Sequence, residues 1–385
     1  MVKWVKWIEQ TAFTEGLEKP EFFRRIVRQA AYRRADGDPE RVHELALEAL
    51  NEFEGVMERI SPQFDFPNLH ITLAGHEVMP FGTAAGLDKN GDVIGPLSHI
   101  FGFQEVGTII VPERAGNARP RVAVDEKNDD LYNAQGFPSQ GLPYAKRKLQ
   151  SYRESGGKGV ILASICGIPP NADSLDVASQ ETETLLKELD RYVDGYVWNS
   201  FSPNTDALRL LRKPSTFKRY AQRVKETARD RPALLKIGPY DDSLEKRTEA
   251  LELSEAWLDG GGDGLVVVNT YMVPKEKVPS EDWGYPSAGR SGRFLQEYRQ
   301  RAIIDARAAF PNALIIATGG IDSADQAWAA FEAGANALEG YTPFIFSGFG
   351  LLLEMAKGVE DKLRARGYTS LSEFQAESRR GTEIL

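Results

Sequence analysis

Amide, hydroxyl and lysine side chains recur directly after the short apolar segments of this sequence. They are Lys89, Thr108, Ser164, Asn199, Ser202, Asn204, Lys236, Asn269, Thr270, Tyr341 and Thr342. A single asparagine after a strand is more typical of a turn, because its side chain caps the local backbone, but repeated amides and lysines favour a binding site. These positions hold no paired carboxylates, no serine with a nearby histidine and no cysteine nucleophile, so hydrolysis and thiol chemistry lack their groups. The set suits a planar, carboxylated, amide-rich molecule bound over a cofactor that performs a redox step.

Small residues accompany these side chains near the end of the chain. Gly319 and Gly320 follow the seventh predicted strand, and Tyr341 follows the eighth. In barrels, loops at these two places often bind phosphate through backbone amides. Ser291 and Gly292 offer further donors, although a solvated turn explains them equally well. The pattern predicts a phosphorylated cofactor.

The elements that position these residues follow a repeating pattern of strand and helix. From Phe81 onward, short apolar strands alternate with longer helical stretches, which is typical of parallel βα units. The eight predicted strands span residues 82–85, 104–110, 160–165, 196–200, 234–237, 265–269, 314–318 and 337–342. Eight such strands predict an α/β fold, a closed (β/α)8 TIM barrel with its site at the C-terminal strand ends. An open doubly wound sheet is the alternative, but no G-x-G-x-x-G turn follows a strand here.

A helical extension precedes the barrel. Asp38 followed by Pro39 and Glu40 predicts a helix start, and an apolar stripe from Val42 to Met57 predicts one long helix before residue 60. We therefore expect two parts, an N-terminal helical extension over residues 1–70 and a barrel over residues 71–385.

The first residues form a short amphipathic segment. Its apolar side chains are Trp4, Val5, Trp7 and Ile8, beside Lys3 and Lys6. Such a segment either lies among lipid headgroups or packs on the barrel, since tryptophan serves both roles. No apolar run approaches the roughly 20 residues that cross a bilayer. We expect a protein that is soluble or peripheral to a membrane.

Composition excludes several other classes of function. The net charge of −9 and the pI near 5.3 argue against nucleic-acid partners, which need clustered Lys and Arg. One cysteine, Cys166, cannot form an intramolecular disulfide. The four histidines show no metal-ligand spacing, so we expect no metal site.

A series of motifs resembles the dihydroorotate dehydrogenases from Asp38 to about Gly358. In family order they are AAGLDKNG (84–91), EVGT (105–108), GN-x-RPR (116–121), SPNT (202–205), DG-x5-T (263–270), SGR (291–293) and GGI (319–321). Serine rather than cysteine before the PN pair marks the quinone-linked class of that family, and Ser202 is this serine. DPERVHELAL (38–47) is similar to the helical extension of the same class.

The resemblance implies FMN as cofactor, oxidation of (S)-dihydroorotate to orotate, and a place in de novo pyrimidine (UMP) biosynthesis. Ser202 matches the base that removes the C5 proton while hydride passes from C6 to FMN, and Thr205 and Phe137 match its proton-relay neighbours. The substrate contacts are matched by Lys89, Asn133, Asn199, Asn204, Asn269 and Thr270. The flavin and phosphate contacts are matched by Ala85, Gly86, Thr108, Ser164, Asn199, Lys236, Ser291, Gly292, Gly319, Gly320, Tyr341 and Thr342.

The resemblance further implies an electron acceptor and a location. His43 matches the wall of the family's quinone tunnel, so membrane quinone is the expected acceptor. A peripheral position on the cytoplasmic side of the cell membrane, with contact through the N-terminal helices, would give access to it; otherwise the protein is expected in the cytoplasm.

Five positions depart from the family pattern. Ser164 stands where an asparagine usually contacts the flavin ring, and Val124 stands where the quinone tunnel commonly carries an arginine. Phe201, Pro138 and Arg290 also differ from the usual residues. Two alternatives therefore stay open: an FMN barrel that acts on another pyrimidine-like compound, and a barrel that binds flavin or phosphate without turnover.

Overall fold

The chain folds around a closed barrel of parallel strands. The computed structural model describes residues 11, 13–168, 175–201, 206–241 and 243–382. The strands in this part of the chain are β1 (Ile71–Leu73), β2 (His76–Val78), β3 (Phe81–Thr83), β4 (Phe103–Ile109), β5 (Val122–Asp125), β6 (Asp130–Asn133), β7 (Val160–Ile165), β8 (Gly195–Trp198), β9 (Ala233–Ile237), β10 (Gly264–Val267), β11 (Tyr271–Pro274), β12 (Ser287–Gly292), β13 (Leu314–Thr318) and β14 (Ala337–Gly340). Eight of them close in the order β3-β4-β7-β8-β9-β10-β13-β14. This confirms the predicted (β/α)8 barrel and excludes the open sheet.

The barrel strands are buried over almost their whole length because both of their faces are covered. Every residue of β7, β8 and β9 is buried. Parallel strands between a packed interior and a layer of helices lack the polar alternation of a half-exposed strand. All eight predicted strands accordingly overlap the barrel strands of the structure.

Helices surround the barrel and precede it. They are α1 (Pro20–Phe22), α2 (Arg28–Arg34), α3 (Pro39–Glu52), α4 (Glu54–Ile60), α5 (Ile94–Ser98), α6 (Leu142–Glu154), α7 (Leu175–Leu189), α8 (Pro214–Ala228), α9 (Leu244–Asp259), α10 (Gln296–Ala309), α11 (Ala324–Glu332), α12 (Thr342–Ser347), α13 (Gly350–Ala365) and α14 (Leu371–Thr382). A π-helical stretch, Phe23–Val27, joins α1 to α2. Residues 13–18 are also helical. No helix in the described ranges is long and apolar enough to cross a membrane.

The start of α3 is as predicted, but its length is not. The Asp38 side chain accepts a hydrogen bond of 2.8 Å from the backbone N–H of Glu40, and Pro39 occupies the first turn, where its missing N–H costs nothing. The expected long helix is interrupted at Phe53, where the backbone leaves the helical conformation (φ −107°, ψ 20°). The Phe53 ring packs on Phe13, with ring centroids 4.8 Å apart. The prediction of one long helix is therefore wrong, and the apolar stripe from Val42 to Met57 spans two helices.

A second sheet covers the C-terminal end of the barrel. It is antiparallel, with strand order β11-β12-β6-β5. Its two hairpins emerge from the loops that follow β4 and β10, so they lie on the side where barrel sites form. This sheet has a small hydrophobic core of its own, which includes Trp283, Tyr132 and Val273. Within this sheet Asn133 of β6 pairs with Gly289 of β12, and the Asn133 side chain donates to the Gly289 carbonyl oxygen at 3.2 Å.

Candidate active site

Twelve of the residues selected from the sequence meet in one cleft between the barrel and the covering sheet. They are Ala85, Gly86, Asn133, Lys236, Asn269, Thr270, Ser291, Gly292, Gly319, Gly320, Tyr341 and Thr342. The barrel contributes them from the C-terminal ends of its strands, and the covering sheet contributes Asn133, Ser291 and Gly292. Much of the predicted strand-end constellation thus lies in one cleft.

A chain of hydrogen bonds joins further predicted side chains to this cleft. The Asn269 Nδ2 atom donates to Asn199 Oδ1 (3.0 Å), and Asn199 Nδ2 donates to Thr108 Oγ1 (2.7 Å). The Thr108 and Ser164 hydroxyl oxygens lie 3.2 Å apart. Thr108, Ser164 and Asn199 are buried, so each partner fixes the orientation of the next. This network is electrically neutral and presents amide groups to the cleft.

One wall of the cleft is built around the ammonium group of Lys236. Its Nζ atom lies 2.5 Å from Glu105 Oε2 and 3.8 Å from Glu339 Oε2. Burial by itself lowers the pKa of Lys236, but the two carboxylates outweigh burial and the pKa is raised. Lys236 is therefore a fixed positive charge at the end of β9.

Neither carboxylate of this wall was selected from the sequence as a site residue. Both lie inside barrel strands, and Glu105 and Glu339 are almost fully buried. A charged residue within an otherwise apolar strand was the available signal, because buried carboxylates need a partner.

Glycine backbone and two hydroxyls form the opposite end of the cleft. Ser291 Oγ and Thr342 Oγ1 lie 2.9 Å apart. Gly292, Gly319 and Gly320 all have positive φ angles, of 103°, 102° and 67°. A Cβ atom at Gly320 would lie 2.7 Å from Gln296 Cγ and 3.0 Å from the Gly292 carbonyl oxygen. The loops can approach this closely only with glycine, which leaves backbone amides and hydroxyls as the donors available to an anion.

A larger cavity of about 550 Å³ lies between the N-terminal helices and the barrel. Most of its lining is apolar and comes from residues 13–53, and Val124 lies on its wall. Leu131, Gln135 and Tyr341 line both this cavity and the cleft. The two spaces therefore share a wall.

Two residues selected from the sequence, His43 and Lys89, line the larger cavity and not the cleft. The His43 ring meets the Tyr341 ring edge to face, with centroids 5.8 Å apart, and its Nε2 atom is buried with no partner among the described residues. Burial, and then the nearby Lys89, lower the pKa of His43 to about 3, so its imidazole is neutral. Burial also lowers the pKa of Lys89 to about 8, partly offset by Glu40.

The remaining predicted residues lie elsewhere. Ser202, Asn204 and Thr205 fall outside the described residues, as does the amphipathic segment with Trp4, Val5, Trp7 and Ile8. Phe137 lines neither space; it packs against the main hydrophobic core with a positive φ of 56°.

Two of the departing residues also point away from the cleft. Phe201 packs against Phe217 of α8, and the Arg212 guanidinium lies 4.6 Å from the centre of its ring. Arg290 pairs with Asp130 at 2.5 Å and lies over the Phe294 ring. Both side chains have partners that explain them within the scaffold.

An eight-stranded barrel with an amide-lined cleft and a glycine-rich anion end defines a cofactor-dependent barrel enzyme. A family profile described as dihydroorotate dehydrogenase matches residues 68–363. The chain belongs to the dihydroorotate dehydrogenase family and is an oxidoreductase. It is a divergent member of the quinone-linked class.

Relatives and solved structures agree over most of the chain. A dihydroorotate dehydrogenase (quinone) of Nitratiruptor sp. is 32% identical over 346 residues, covering 87% of this chain and 94% of the relative. The protein of that name from Rhodospirillum rubrum is 32% identical over 350 residues, covering 87% and 90%. The crystal structure of DHODH from Eimeria tenella in complex with ferulenol has a TM-score of 0.74 and 26% identity, covering 87% of this chain and 94% of that one. Membership of this family implies a flavin cofactor.

Proposed function

We propose that this protein oxidises (S)-dihydroorotate to orotate in de novo pyrimidine biosynthesis, with FMN as cofactor and a membrane quinone as final acceptor. The observation that carries the proposal is the shared wall between a polar cleft and an apolar cavity. A polar substrate and a lipid-soluble acceptor need two different chambers that both reach one cofactor. Tyr341, Leu131 and Gln135 stand at that boundary.

The residues of the cleft fit FMN. The glycines and hydroxyls at its anion end, Ser291, Gly292, Gly319, Gly320 and Thr342, would hold the phosphate. Ala85, Gly86, Thr108, Ser164, Asn199 and Lys236 would surround the ring, with the Lys236 charge favouring electron density there. When bound, FMN supplies the two-electron acceptor for the reaction.

The polar side chains next to the flavin site would bind the substrate. Asn133, Asn269 and Thr270 line the cleft, and Asn199 bonds to Asn269, so the amides can match the ring edges of a planar uracil-like molecule. By resemblance alone, Lys89, which lines the adjoining cavity, and Asn204 would complete the carboxylate and ring contacts. A buried site of this kind rejects analogues that leave its amides unpaired.

Oxidation removes one proton and one hydride from adjacent carbons of dihydroorotate. By the family resemblance, Ser202 accepts the C5 proton, with Thr205 and Phe137 as neighbours of the relay. A serine hydroxyl is a weak base, so it must pass the proton onward.

Anaerobic reduction of the bound flavin tests this function. Purified protein mixed with dihydroorotate should lose the visible absorption of oxidised FMN, and orotate should appear in equal amount. Ser202→Ala should still bind orotate but reduce flavin at least about 100-fold more slowly, which is a typical contribution of general acid–base catalysis. Bleaching by another dihydropyrimidine but not by dihydroorotate would reassign the substrate, and a spectrum that no such compound changes would support a binding protein.

The same proposal locates the protein peripherally on the cytoplasmic side of the cell membrane. Support comes from the N-terminal helices, which wall the larger cavity and carry Ile26 with 53% of its surface exposed. An apolar cavity under such helices would admit a lipid-soluble quinone from the bilayer.

A further inference from the structure

Three carboxylate oxygens in the cleft wall have no hydrogen-bond partner among the described residues. They are Glu105 Oε1 and both oxygens of Glu339. The two side chains have no exposed surface, and in the part of the chain that the structure describes they pair with the ammonium group of Lys236. With both carboxylates ionised, this wall would carry a net negative charge inside the barrel. Burying an uncompensated charge is costly, and such a group normally becomes neutral instead.

The distances decide which carboxylate keeps its charge. Lys236 lies 2.5 Å from Glu105 and 3.8 Å from Glu339. Glu105 Oε2 also accepts from the backbone N–H of Ala85 at 3.3 Å. Glu105 Oε2 therefore has two donors within 3.3 Å, whereas the Lys236 ammonium lies 3.8 Å from Glu339, beyond ordinary hydrogen-bond distance. In agreement, burial and then Glu105 raise the pKa of Glu339 well above its usual range, whereas the pKa of Glu105 is lowered because Lys236 outweighs burial.

Among the described residues, the elements packed around Glu339 bring no further charged group to it. The strands on either side of β14 are β3 and β13, and neither contains an ionisable side chain. Glu105 faces Glu339 from β4 and Lys236 faces it from β9. Tyr341, which also lines the cleft, is neutral because burial raises the pKa of its phenol.

We propose that Glu339 is a neutral carboxylic acid whose proton bridges to the free oxygen of Glu105, and that it tunes the flavin site through Lys236. The shared proton gives Glu105 Oε1 and one oxygen of Glu339 a partner, and it leaves Lys236 balanced by a single anion. Because Glu339 lines the cleft, loss of its proton at alkaline pH would add a negative charge beside the cofactor. This role rests on the proposed flavin binding, and it makes Glu339 a positioning and tuning residue.

The pH dependence of unfolding tests the proton without reference to the cofactor. Wild-type protein is compared with Glu339→Gln, which is neutral and nearly isosteric, and with Glu252→Gln on the exposed face of α9 as the control. Above the ordinary pKa of glutamate the unfolded chain releases the Glu339 proton and the native protein keeps it. The wild-type unfolding constant should therefore rise about tenfold per pH unit relative to Glu339→Gln, until the native group also ionises. A ratio between the two that does not vary with pH would overturn the neutral acid.

The midpoint potential of bound flavin tests the tuning. At neutral pH, wild type and Glu339→Gln should have similar potentials, because both carry an uncharged group at this position. At alkaline pH the wild-type potential should become more negative than that of the variant. Potentials that run parallel from about pH 6 to about pH 10 would overturn the tuning role. A protein that binds no flavin would instead contradict the proposed function, and the unfolding comparison would still decide the state of Glu339.

Glu105→Gln supplies an independent check on the charge balance. Without the Glu105 anion, Lys236 would have Glu339 as its only carboxylate, and Glu339 should ionise. The infrared carbonyl band of a protonated carboxylic acid, present in wild type and absent in Glu339→Gln, should therefore also vanish at neutral pH in Glu105→Gln. Persistence of that band in Glu105→Gln would contradict the assignment.

Discussion

At the scale of single residues, Lys89 is a half-buried side chain that ionises near physiological pH. Burial lowers the pKa of its ammonium group to about 8, with Glu40 opposing the shift and Arg121 adding to it. The group is charged below that pH and neutral above it. We predict that orotate affinity falls as the pH rises through about 8, because the substrate carboxylate loses its cationic partner.

Substitutions separate this effect from other titrations. Lys89→Met should weaken orotate binding by about 10- to 100-fold at neutral pH, the value of one hydrogen bond to a charged group. Lys89→Arg should remove the decline near pH 8, since guanidinium stays charged, and Lys158→Met at an exposed site should change nothing. Flavin difference titration measures all four proteins. An unaltered pH profile in Lys89→Arg would assign the titration to another group.

Gly320 is the residue on which the anion end of the cleft depends most directly. Its φ of 67° is strained for other residues, and a Cβ atom there would lie 2.9 Å from the Gln296 backbone nitrogen. Gly320→Ala should lower stability by more than about 1 kcal/mol. It should also weaken FMN binding by about tenfold, because displaced loop amides lose a phosphate hydrogen bond.

Gly367→Ala is the matched control for that variant. Gly367 has a φ of 82° but nothing within 4 Å of its added Cβ atom, so this variant carries the strain without the clash. Thermal unfolding should detect a loss in both variants, and fluorescence titration of FMN should detect a loss in Gly320→Ala alone. Equal FMN affinities would show that the two loops do not set the phosphate site.

Most of the candidate site follows from the sequence, since residues after parallel strands must meet at one end of a barrel. Asn269, Lys236 and Thr342 meet in this way. Glu339 and Glu105 were not predicted as site residues. Their role depends on buried contacts with Lys236 across the barrel, between strands that are far apart in the chain. The placement of Lys89 in the larger cavity likewise depends on which way a side chain points, and spacing does not determine that.

At the scale of elements, Arg28 fixes the N-terminal helices to the covering sheet. It is almost fully buried and donates to both Glu126 oxygens (2.7 and 2.8 Å) and to the Ile345 carbonyl oxygen (3.0 Å). Its guanidinium also lies 4.8 Å from the centre of the Phe346 ring. We predict that Arg28→Ala loosens the segment around α2 by about 2 kcal/mol, a typical loss for hydrogen bonds to a charged group.

Hydrogen exchange and limited proteolysis of residues 13–34 measure this loosening. Arg25→Ala is the control, because Arg25 forms an exposed pair with Glu21, which is worth about 0.3–0.5 kcal/mol. Faster exchange should appear in Arg28→Ala and not in Arg25→Ala, and the barrel helices should be unaffected in both. Identical exchange in the two variants would mean that apolar packing alone holds the segment.

Some secondary-structure elements are easier to predict from the sequence than others, and the difference depends on how completely each element is buried. The barrel strands are short, mostly apolar runs, so all eight were predictable. Strands β5 and β11 of the covering sheet are short and mixed in burial, and no periodic pattern distinguishes them from loops. The break at Phe53 was equally invisible, because the apolar stripe resumes in the correct phase on α4.

At the scale of the whole molecule, the N-terminal helices complete a second chamber that the barrel alone does not enclose. Residues from 13 to 53 form most of the cavity of about 550 Å³, and Tyr341 separates it from the cleft. The contact between His43 and Tyr341 joins parts of the chain nearly 300 positions apart. The division at residue 70 and the use of this chamber by quinone stay predictions.

Filling the chamber should block the acceptor without touching the chemistry of the cleft. Val42 lines the cavity from α3, and Val42→Trp would occupy much of the apolar space near it. We expect flavin reduction by dihydroorotate at the wild-type rate and turnover with a long-chain quinone reduced by at least about tenfold, as for a ligand that loses about 1.4 kcal/mol of binding. Asn51→Trp is the control, because Asn51 is exposed on the same helix and does not line the cavity.

Deleting residues 1–37 should act in the same direction as Val42→Trp, lowering quinone turnover and binding to lipid vesicles while leaving flavin reduction intact. Stopped-flow reduction and steady-state quinone assays separate the two half reactions. Unchanged quinone turnover in both Val42→Trp and the shortened protein, or a preference of the intact protein for fumarate or a nicotinamide, would remove quinone from the proposal and leave the chemistry of the barrel in place.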